Sequence, residues 1–377
     1  KPLDILIDMN SDLTINTWNE SKIKIETSLQ YQGDNELSDA EWLEKLGISM
    51  RMFGSTVRVK SKTNKAFTYI ANGGERKVYT APVYSGDGRS LTWEKGYRPV
   101  TLYVPAESIL EIEAEQGFLT IKSNIKRLSV TNNNCQVDVA NVDRLQLRGK
   151  QGSFTGGIIG DGDIQILHGR LTLNELNEGN LTSSYSTIEI ESIGNLKLSS
   201  SNDEIDIDNA VTLYGIKNFG NLRINQLTGK LDLQGINSDI KVRHINPSAQ
   251  LIKLVNRNAD LRLSANDLSN FSVDVKGSYN KIYSSFAEKT TVDTLPAKEA
   301  DSLKTLMAAV PSGGIITAAS GTSLSTYSAN SNTVITVTGY GLGGNKQSPN
   351  LKYSARIGTG NQFKYQIICT TCIIDFK

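Results

Sequence analysis

The middle of the chain repeats a short pattern of one apolar, one polar and one apolar residue, beginning at Leu119. The repeats start mostly ~7–10 residues apart, and the segments between them are rich in Asn, Gly, Asp and Ser, which favour turns. The fifteen triplets are 119–121, 128–130, 137–139, 145–147, 164–166, 171–173, 188–190, 196–198, 205–207, 211–213, 222–224, 231–233, 240–242, 261–263 and 271–273.

A strand places successive side chains on opposite faces, so the two outer residues of each triplet share one face. That face is apolar throughout, whereas the middle residues are mostly polar or charged. Strands of about three residues are shorter than those of an ordinary sandwich. They suit a solenoid, in which each strand pairs with the coils above and below it. The pattern predicts an all-β, single-chain parallel β-helix over 106–286, with coils of ~18–20 residues and roughly eight or nine coils between Leu119 and Tyr283.

Asparagines mark the expected corners of these coils. Asn adopts the left-handed backbone region more readily than most residues, and its side chain hydrogen-bonds to nearby backbone at turns. Asn residues lie between triplets at 132–134, 202, 209, 218, 221, 225, 237 and 256. The apolar residues are therefore expected to stack in a narrow column, which explains how a chain with 38% hydrophobic residues can fold.

Residues 1–105 carry longer alternation and are predicted to form an antiparallel β module that leads into the solenoid. Ser38-Asp-Ala-Glu41 has the form of a capping box, which predicts a short helix from Ala40 to Leu46 that ends at Gly47. A hairpin is predicted over 48–53 and 56–62. Such a module would cover one end of the solenoid, because bare strand edges pair with other chains.

The C-terminal part departs from the triplet pattern. Apolar residues at 303, 306, 307 and 310 follow helical spacing, and Pro311 ends the pattern. We predict a linker at 287–321 that contains a short helix at 297–310. Residues 322–377 return to strand patterns, and we expect them to complete or cap the β-helix.

Charge and hydropathy exclude some classes of partner. The 40 basic and 39 acidic residues leave a net charge of +1, so no net positive field attracts nucleic acid. The middle residues of the triplets alternate in sign, so no basic stripe is expected; they include Glu189, Lys197, Asp206, Arg223, Asp232 and Lys241. No transmembrane helix is predicted, because no run of ~18 apolar residues occurs. The chain begins at Lys1 without a signal-peptide pattern, and we expect that a leader has been removed.

The three cysteines do not form a disulfide framework, because their number is small and odd. Cys369-Thr-Thr-Cys372 has the spacing of a redox or zinc pair. The β-branched residues around it favour a strand or turn instead, and whether the two thiols join in a disulfide stays open. Cys135 lies within the triplet region.

Candidate catalytic groups are few. The acidic clusters are Asp161-Gly-Asp163 and Asp203-Glu-Ile-Asp206-Ile-Asp208, and a polysaccharide-cleaving β-helix would need such carboxylates in pairs or around Ca²⁺. Turn and solvent-facing positions explain both clusters more simply. His168 and His244 follow different triplets, and no nucleophile elbow accompanies them.

Two other features could bind ligands. The glycine-rich segments 156–162 and 339–344 precede no helix pattern, so neither is predicted to cradle a phosphate. Aromatic residues gather in the N-terminal module at Tyr69, Tyr79, Tyr84, Trp93 and Tyr97, and this is where a sugar or protein surface would be sought first. We assign no catalytic, metal-binding or cofactor-binding residue.

Residues 100–121 follow the order strand, Val-Pro, apolar-x-apolar, Gly, apolar-x-apolar. This order resembles the head-GIN domain family of auto-transporter-adhesin-like proteins. Residues 13–25 are similar to the entry of that family, with a strand, a Trp-containing turn and a second strand. The resemblance covers roughly residues 3–285. It implies an exported single-chain β-helix of the bacterial cell envelope, located in the periplasm or at the outer-membrane surface, with a lipid anchor as an open alternative. It implies no catalytic residue.

Three functions follow as expectations. The first is a non-enzymatic, exported adhesin or envelope scaffold, whose partner would be a cell-surface glycan or protein. The second is a polysaccharide-degrading lyase or hydrolase, and the third is a polymerising structural protein. The scarcity of His, of which there are 2, and the lack of an acidic or aromatic groove in the triplet pattern favour the first.

Overall fold

The computed structural model describes residues 2–10, 12–27, 38–62, 66–71, 74–79, 100–284, 286, 291–294, 322–327, 333–339 and 351–377. The chain divides into two compact units, Lys1–Thr172 and Leu173–Lys377, which are described in turn. Parallel strands dominate the large sheet, and the prediction of an all-β parallel β-helix is confirmed.

The bounds of the elements follow from the hydrogen-bonded ladders. Those of the first unit are β1 (Asp4–Met9), β2 (Leu13–Trp18), β3 (Lys24–Glu26), α1 (Asp39–Leu46), β4 (Ile48–Phe53), β5 (Thr56–Ser61), β6 (Ala66–Ala71), β7 (Gly74–Tyr79), β8 (Val100–Pro105), β9 (Ile109–Ala114), β10 (Gly117–Ile121), β11 (Ile125–Val139) and β12 (Val142–Leu167). Those that follow are β13 (Arg170–Ser184), β14 (Thr187–Ile236), β15 (Ser238–Ile245), β16 (Leu251–Arg257), β17 (Asp260–Leu263), β18 (Phe271–Ser278), β19 (Lys281–Ser284), β20 (Thr291–Thr294), β21 (Thr322–Tyr327), β22 (Thr333–Gly339), β23 (Leu351–Ile357), β24 (Phe363–Thr370) and β25 (Ile373–Phe376).

Parallel pairing at a nearly constant spacing builds the first unit. Ile125 of β11 lies opposite Val142 of β12, and Gly117 of β10 lies opposite Cys135 of β11. One coil here therefore takes ~17–18 residues, at or just below the expected length. The coil is this short because one side contributes a single inward residue, such as Val142 or Ile159, instead of a triplet.

The parallel sheet begins earlier in the chain than residue 106. β1 lies parallel to β5 and β9, and β2 lies parallel to β8 and β10. The N-terminal region also contains antiparallel pairs, β4 with β5 and β3 with β8. The alternation in β1 buries Ile5, Ile7 and Met9, which gives this strand the same apolar inner face as the later coils.

The helix α1 forms where the capping box predicts it. The Ser38 hydroxyl accepts from the Glu41 amide at 3.4 Å, and the Glu41 carboxylate accepts from the Ser38 amide at 2.8 Å. Gly47 ends the helix in the left-handed region with φ of 83°. Trp42 and Leu46 are the buried residues of the helix.

The triplets supply the core. Their outer residues are all buried except Val211, which is 49% exposed. Ala210 takes the inward place there, because it belongs to the column of single inward residues that includes Ile193 and Leu227 at equal steps along the chain. The prediction of inward Val211 is wrong for this reason.

In the second unit the coils lengthen toward the C-terminus. Leu222 of β14 lies opposite Ile240 of β15, and Leu231 lies opposite Ile252 of β16, so the second step is three positions longer than the first. The order of strands then departs from the order of the sequence. β24 lies between β16 and β18 and is parallel to both, and β25 lies between β17 and β19 in the same way.

The C-terminal strands also cover the far side of this last coil. β23 pairs antiparallel with β18, and β22 pairs antiparallel with β19. The described strands of 322–377 therefore both insert a coil and add antiparallel strands. The predicted helix at 297–310 lies outside the described residues.

Candidate functional site: a polar column beneath the corners

One corner of each coil adopts the left-handed backbone conformation. Ten residues other than glycine have positive φ in the described part of the chain, and most follow one another at nearly equal steps; they are Asn134, Gln151, His168, Tyr185, Asn202, Phe219, Asn237, Asn258, Tyr279 and Thr371. In the second unit the corner amide of Tyr185 donates to the carbonyl of Ser201, and that of Asn237 donates to the carbonyl of Arg257. The corners are therefore stacked and hydrogen-bonded from coil to coil.

At most of these corners two positions are buried inside the solenoid: the residue two before the corner and the residue one after it. We call these the inner-corner positions. At the Asn134 corner, Asn132 accepts from the Cys135 amide at 2.8 Å and donates to the Cys135 carbonyl at 3.1 Å. At the Tyr279 corner, Asn280 donates to the carbonyl of Cys369 at 2.7 Å and accepts from the amide of Cys372 at 3.0 Å.

Asp203 occupies the most heavily bonded inner-corner position. Its side chain is fully buried, and one carboxylate oxygen accepts from the hydroxyls of Ser183 at 2.7 Å and Ser200 at 2.6 Å. The same oxygen accepts from the amide of Ser201 at 3.1 Å, and the other oxygen accepts from the amide of Ser186 at 2.7 Å. The carboxylate thus joins two successive corners through four donors.

Lys217 lies one coil further along and is also fully buried. Its ammonium group donates to the backbone carbonyl of Asp203 at 3.0 Å and to that of Phe219. Burial lowers the pKa of Lys217 to about 8, and the charge of Asp203 opposes this shift. The folded protein therefore releases this proton near pH 8, whereas the unfolded chain holds it until about pH 10.5. Stability consequently rises with pH across this interval, because the unfolded state binds more protons.

This cluster stabilises the fold and has no access to a substrate. Ser183, Ser186, Ser200, Asp203 and Lys217 are all buried, so none can reach a reacting atom outside the solenoid. A buried carboxylate that accepts four hydrogen bonds is adequately compensated for the loss of water. The cluster fixes the register of neighbouring corners, since a one-residue slip would move these polar groups to the wrong face.

The Cys-Thr-Thr-Cys motif is the inner-corner pair of the Thr371 corner. Cys369 and Cys372 are buried and joined by a disulfide, with 6.0 Å between their Cα atoms. The spacing of the motif follows from the geometry of a corner, and the interpretation as strand or turn cysteines fits their place at the ends of β24 and β25. Cys135 is free and buried, and burial raises its pKa to about 11.

The acidic clusters seen in the sequence do not converge on one site. Asp206 points outward and pairs with Arg223 at 3.2 Å, while Asp203 of the same segment points inward. Asp208 is exposed. In the first unit Asp161 lies 3.6 Å from Arg144, and Asp163 is exposed. Among the described residues, no group of three or more His, Cys, Asp or Glu side chains could hold a metal ion.

The histidines and glycines are likewise dispersed. His168 stands at a left-handed corner of the first unit, and His244 lies 3.4 Å from Asp267 in the second. The glycine-rich segment 156–162 lies within β12, and the strand β13 follows it. Gly339 ends β22, and the rest of 339–344 lies outside the described residues.

The N-terminal aromatic group is described only in part. Tyr69 lies in β6 and Tyr79 in β7, which pair antiparallel with each other. Tyr84, Trp93 and Tyr97 lie outside the described residues.

Some of the outward charges pair across neighbouring coils. Asp232 lies opposite Lys253 in the parallel register, and their charged atoms are 2.9 Å apart. Arg223 reaches Asp206 in the same manner. At these two places opposite charges face each other on adjacent strands, which contributes roughly 0.2–1 kcal/mol per pair, whereas Lys241 lies between two like charges, Arg223 and Arg262.

The inner-corner column was not identified from the sequence. A signal was present, because Ser183, Ser200 and Lys217 recur at a constant interval along the chain, and Ser186 and Asp203 are separated by the same interval. The triplet pattern averages over steps of ~7–10 residues and does not reveal this longer period.

Comparison with family models, with curated proteins and with solved structures found no match to this chain. In the part of the chain that the structure describes, no helix has the length and apolar character needed to cross a bilayer.

Proposed function

We propose that the protein is a non-enzymatic, exported β-solenoid that acts as a cell-surface adhesin or envelope scaffold, as its resemblance to the head-GIN domain family implies. The observation that carries the proposal is the separation of its polar groups. The carboxylate of Asp203 and the amine of Lys217 are buried beneath the corners. The solvent-facing strand surface, in contrast, carries charge pairs such as Asp232 with Lys253. Such a surface leaves its solvent-facing side chains available to bind a partner.

The disulfide between Cys369 and Cys372 supports export. Disulfides form and persist in oxidising compartments such as the periplasm and the cell surface. A non-catalytic role for this bond agrees with its burial, because catalytic cysteines are partly exposed.

Tyr185 is our candidate for the contact with a glycan. It is 59% exposed, and it adopts the left-handed conformation that is strained for an aromatic residue. Strain of this kind persists where the surrounding structure imposes it, and it often accompanies a binding role. An exposed aromatic ring offers a flat apolar face against which the C–H face of a sugar ring packs.

The test uses the full chain, labelled with a fluorophore, on a panel of cell-surface glycans and pectins. We expect retention on one glycan class without release of products. Tyr185→Asn keeps a residue that tolerates the corner and removes the ring, so we expect at least a tenfold loss of affinity. Tyr279→Asn is the matched control, since it makes the same change at a corner about six strand spacings away, or ~29 Å.

Each outcome decides a part of the proposal. Product release above a blank would establish the polysaccharide-degrading alternative instead. The adhesin assignment would be overturned if the protein bound none of the glycans and if Tyr185→Asn bound every protein partner tested with unchanged affinity. Light scattering that shows a concentration-dependent fibre would favour the polymerising alternative.

A further inference from the structure

The C-terminal coil fills a gap between two coils that are consecutive in the sequence. The strands of one neighbour are β16 and β17, and those of the other are β18 and β19. We call the space between them, which β24 and β25 occupy, the insertion slot. Both walls of the slot are strand edges, so each offers a row of backbone donors and acceptors to whatever strand lies between them.

The side chains of the inserted segment fit this slot closely. The inward residues of β24 and β25 are all buried: Phe363, Tyr365, Ile367, Cys369, Ile374 and Phe376, with Cys372 between the strands. The ring of Tyr365 lies 5.7 Å from that of Phe271 on one wall, and its hydroxyl donates to the carbonyl of Ser264. Burial of side chains of this size stabilises by roughly 1.5–3 kcal/mol each.

Backbone hydrogen bonds hold the segment at both ends and at its corner. The amide of Lys364 donates to the carbonyl of Gln250 at 3.1 Å, and that of Lys377 donates to the carbonyl of Leu263 at 3.0 Å. At the corner, the amide of Thr371 donates to the carbonyl of Ser278 at 2.9 Å, and the amide of Asn258 donates to that of Thr370 at 3.0 Å.

All the slot contacts described above come from residues 250–284. They are far in sequence from the segment they hold, since Leu251 is paired with Lys364. None of these contacts depends on which chain supplies the segment. Exchange of an identical element between copies is a route to assembly that needs no new interface.

We propose that the insertion slot is a strand-acceptor site, and that it accepts the C-terminal coil of a second copy of this chain. This goes beyond the proposed adhesin function and does not depend on it. A chain's own segment has the advantage of high effective concentration, so a folded monomer keeps its own coil in place. Exchange takes place when copies fold together at high concentration. The edges of the slot are then unpaired until a distant part of the chain reaches them, and the C-terminal coil of another copy can bind first.

Cysteine cross-linking can report which chain fills the slot. Ser272 lies opposite Lys364, and Asp274 lies opposite Gln366, on the outward face of β18 and β24. Strand neighbours are ~4.8 Å apart, which a disulfide can span. We would prepare four single variants of the full chain, Ser272→Cys, Asp274→Cys, Lys364→Cys and Gln366→Cys. One variant from each strand is unfolded, mixed, refolded at several concentrations and mildly oxidised.

The four variants supply their own matched controls. Ser272→Cys with Lys364→Cys and Asp274→Cys with Gln366→Cys are in register, whereas the two crossed combinations place the sulfur-bearing residues ~8 Å apart, beyond disulfide reach. A double variant with Ser272→Cys and Lys364→Cys in one chain shows that the oxidation works within a monomer. Circular dichroism confirms that each variant regains its β-sheet content.

We expect both in-register mixtures to give a covalent dimer on a non-reducing gel, in an amount that rises with protein concentration. We expect the crossed mixtures, and in-register variants mixed after folding, to stay at least tenfold lower. Equal cross-linking in register and out of register would overturn the proposal, because contact would then be unspecific. Absence of a covalent dimer at every concentration, while the double variant cross-links within the monomer, would also overturn it.

Discussion

Replacement of Asp203 is the sharpest test of the polar column beneath the corners. In Asp203→Ala the hydroxyls of Ser183 and Ser200 and the amides of Ser186 and Ser201 lose their common acceptor. A buried donor left without a partner costs about 1–3 kcal/mol. The hydroxyls can rotate to other acceptors, but the two amides cannot, so we expect a loss of about 4 kcal/mol in the free energy of local unfolding.

The assay is hydrogen exchange measured by mass spectrometry on peptides that cover 183–220. A loss of about 4 kcal/mol corresponds to exchange roughly a thousandfold faster from the locally opened state. Asp203→Asn keeps the shape and one accepting oxygen, so its effect should lie between those of the wild type and Asp203→Ala. The matched control is Asp206→Ala, which removes only an exposed pair with Arg223 and should cost no more than about 1 kcal/mol.

If exchange in Asp203→Ala stays within tenfold of that in Asp206→Ala, the buried carboxylate does not fix the corners. The same conclusion would follow if the acceleration were confined to the residues beside position 203 and did not reach Ser183 and Ser186, since the hydrogen bonds join both corners.

Three further predictions concern the corners. Tyr185→Asn should raise the free energy of unfolding by about 1 kcal/mol, because an aromatic residue is strained in the left-handed region, and a lower urea midpoint would contradict this. The free energy of unfolding of the wild type should rise by about 1 kcal/mol between about pH 7.5 and pH 9 through release of the Lys217 proton, and Lys217→Met should lack this increase. Above pH 9 the raised pKa of Cys135 lowers the free energy of unfolding instead. Reduction of the disulfide should destabilise the C-terminal coil by about 2 kcal/mol, measured as faster hydrogen exchange over 363–377, and Cys369→Ala with Cys372→Ala should not respond to the reductant.

The inner face of the solenoid could be predicted from the sequence because strand geometry has a period of two. Any triplet with two apolar outer residues therefore identifies its own buried face, and this succeeds at almost every triplet. The failure at Val211 is informative, since Ala210 is the inward residue there. A small residue carries little apolar signal, and a neighbouring Val then dominates the pattern although it faces solvent.

Buried polar groups could not be predicted from the same pattern. Asp203 and Lys217 are charged, and charged residues are almost never fully buried unless they are paired. Their burial depends on the length of the coil, which places both beneath stacked corners. The sequence pattern predicts coils of ~18–20 residues, whereas Ser186 and Asp203 on neighbouring coils are 17 positions apart, and an error of one residue per coil is enough to hide the column.

The insertion of β24 and β25 could not be predicted because pairing between distant segments leaves no local pattern. Their alternation of apolar and polar residues identifies strands but not neighbours. The strands that flank them begin more than ninety residues earlier in the chain. The parallel registers of β24 with β16 and β18 reveal that the order in space differs from the order along the chain.

The place of the C-terminal coil sets a delay during synthesis. When Ser284 has just been added to the nascent chain, roughly ninety residues are still to be translated before Lys377. At about 5–20 residues per second this takes on the order of 5–20 s. Throughout that time the strand edges of β16 and β18 have no native neighbour between them. A chaperone that shields exposed edges would therefore act on this protein late, after most of its coils have already closed.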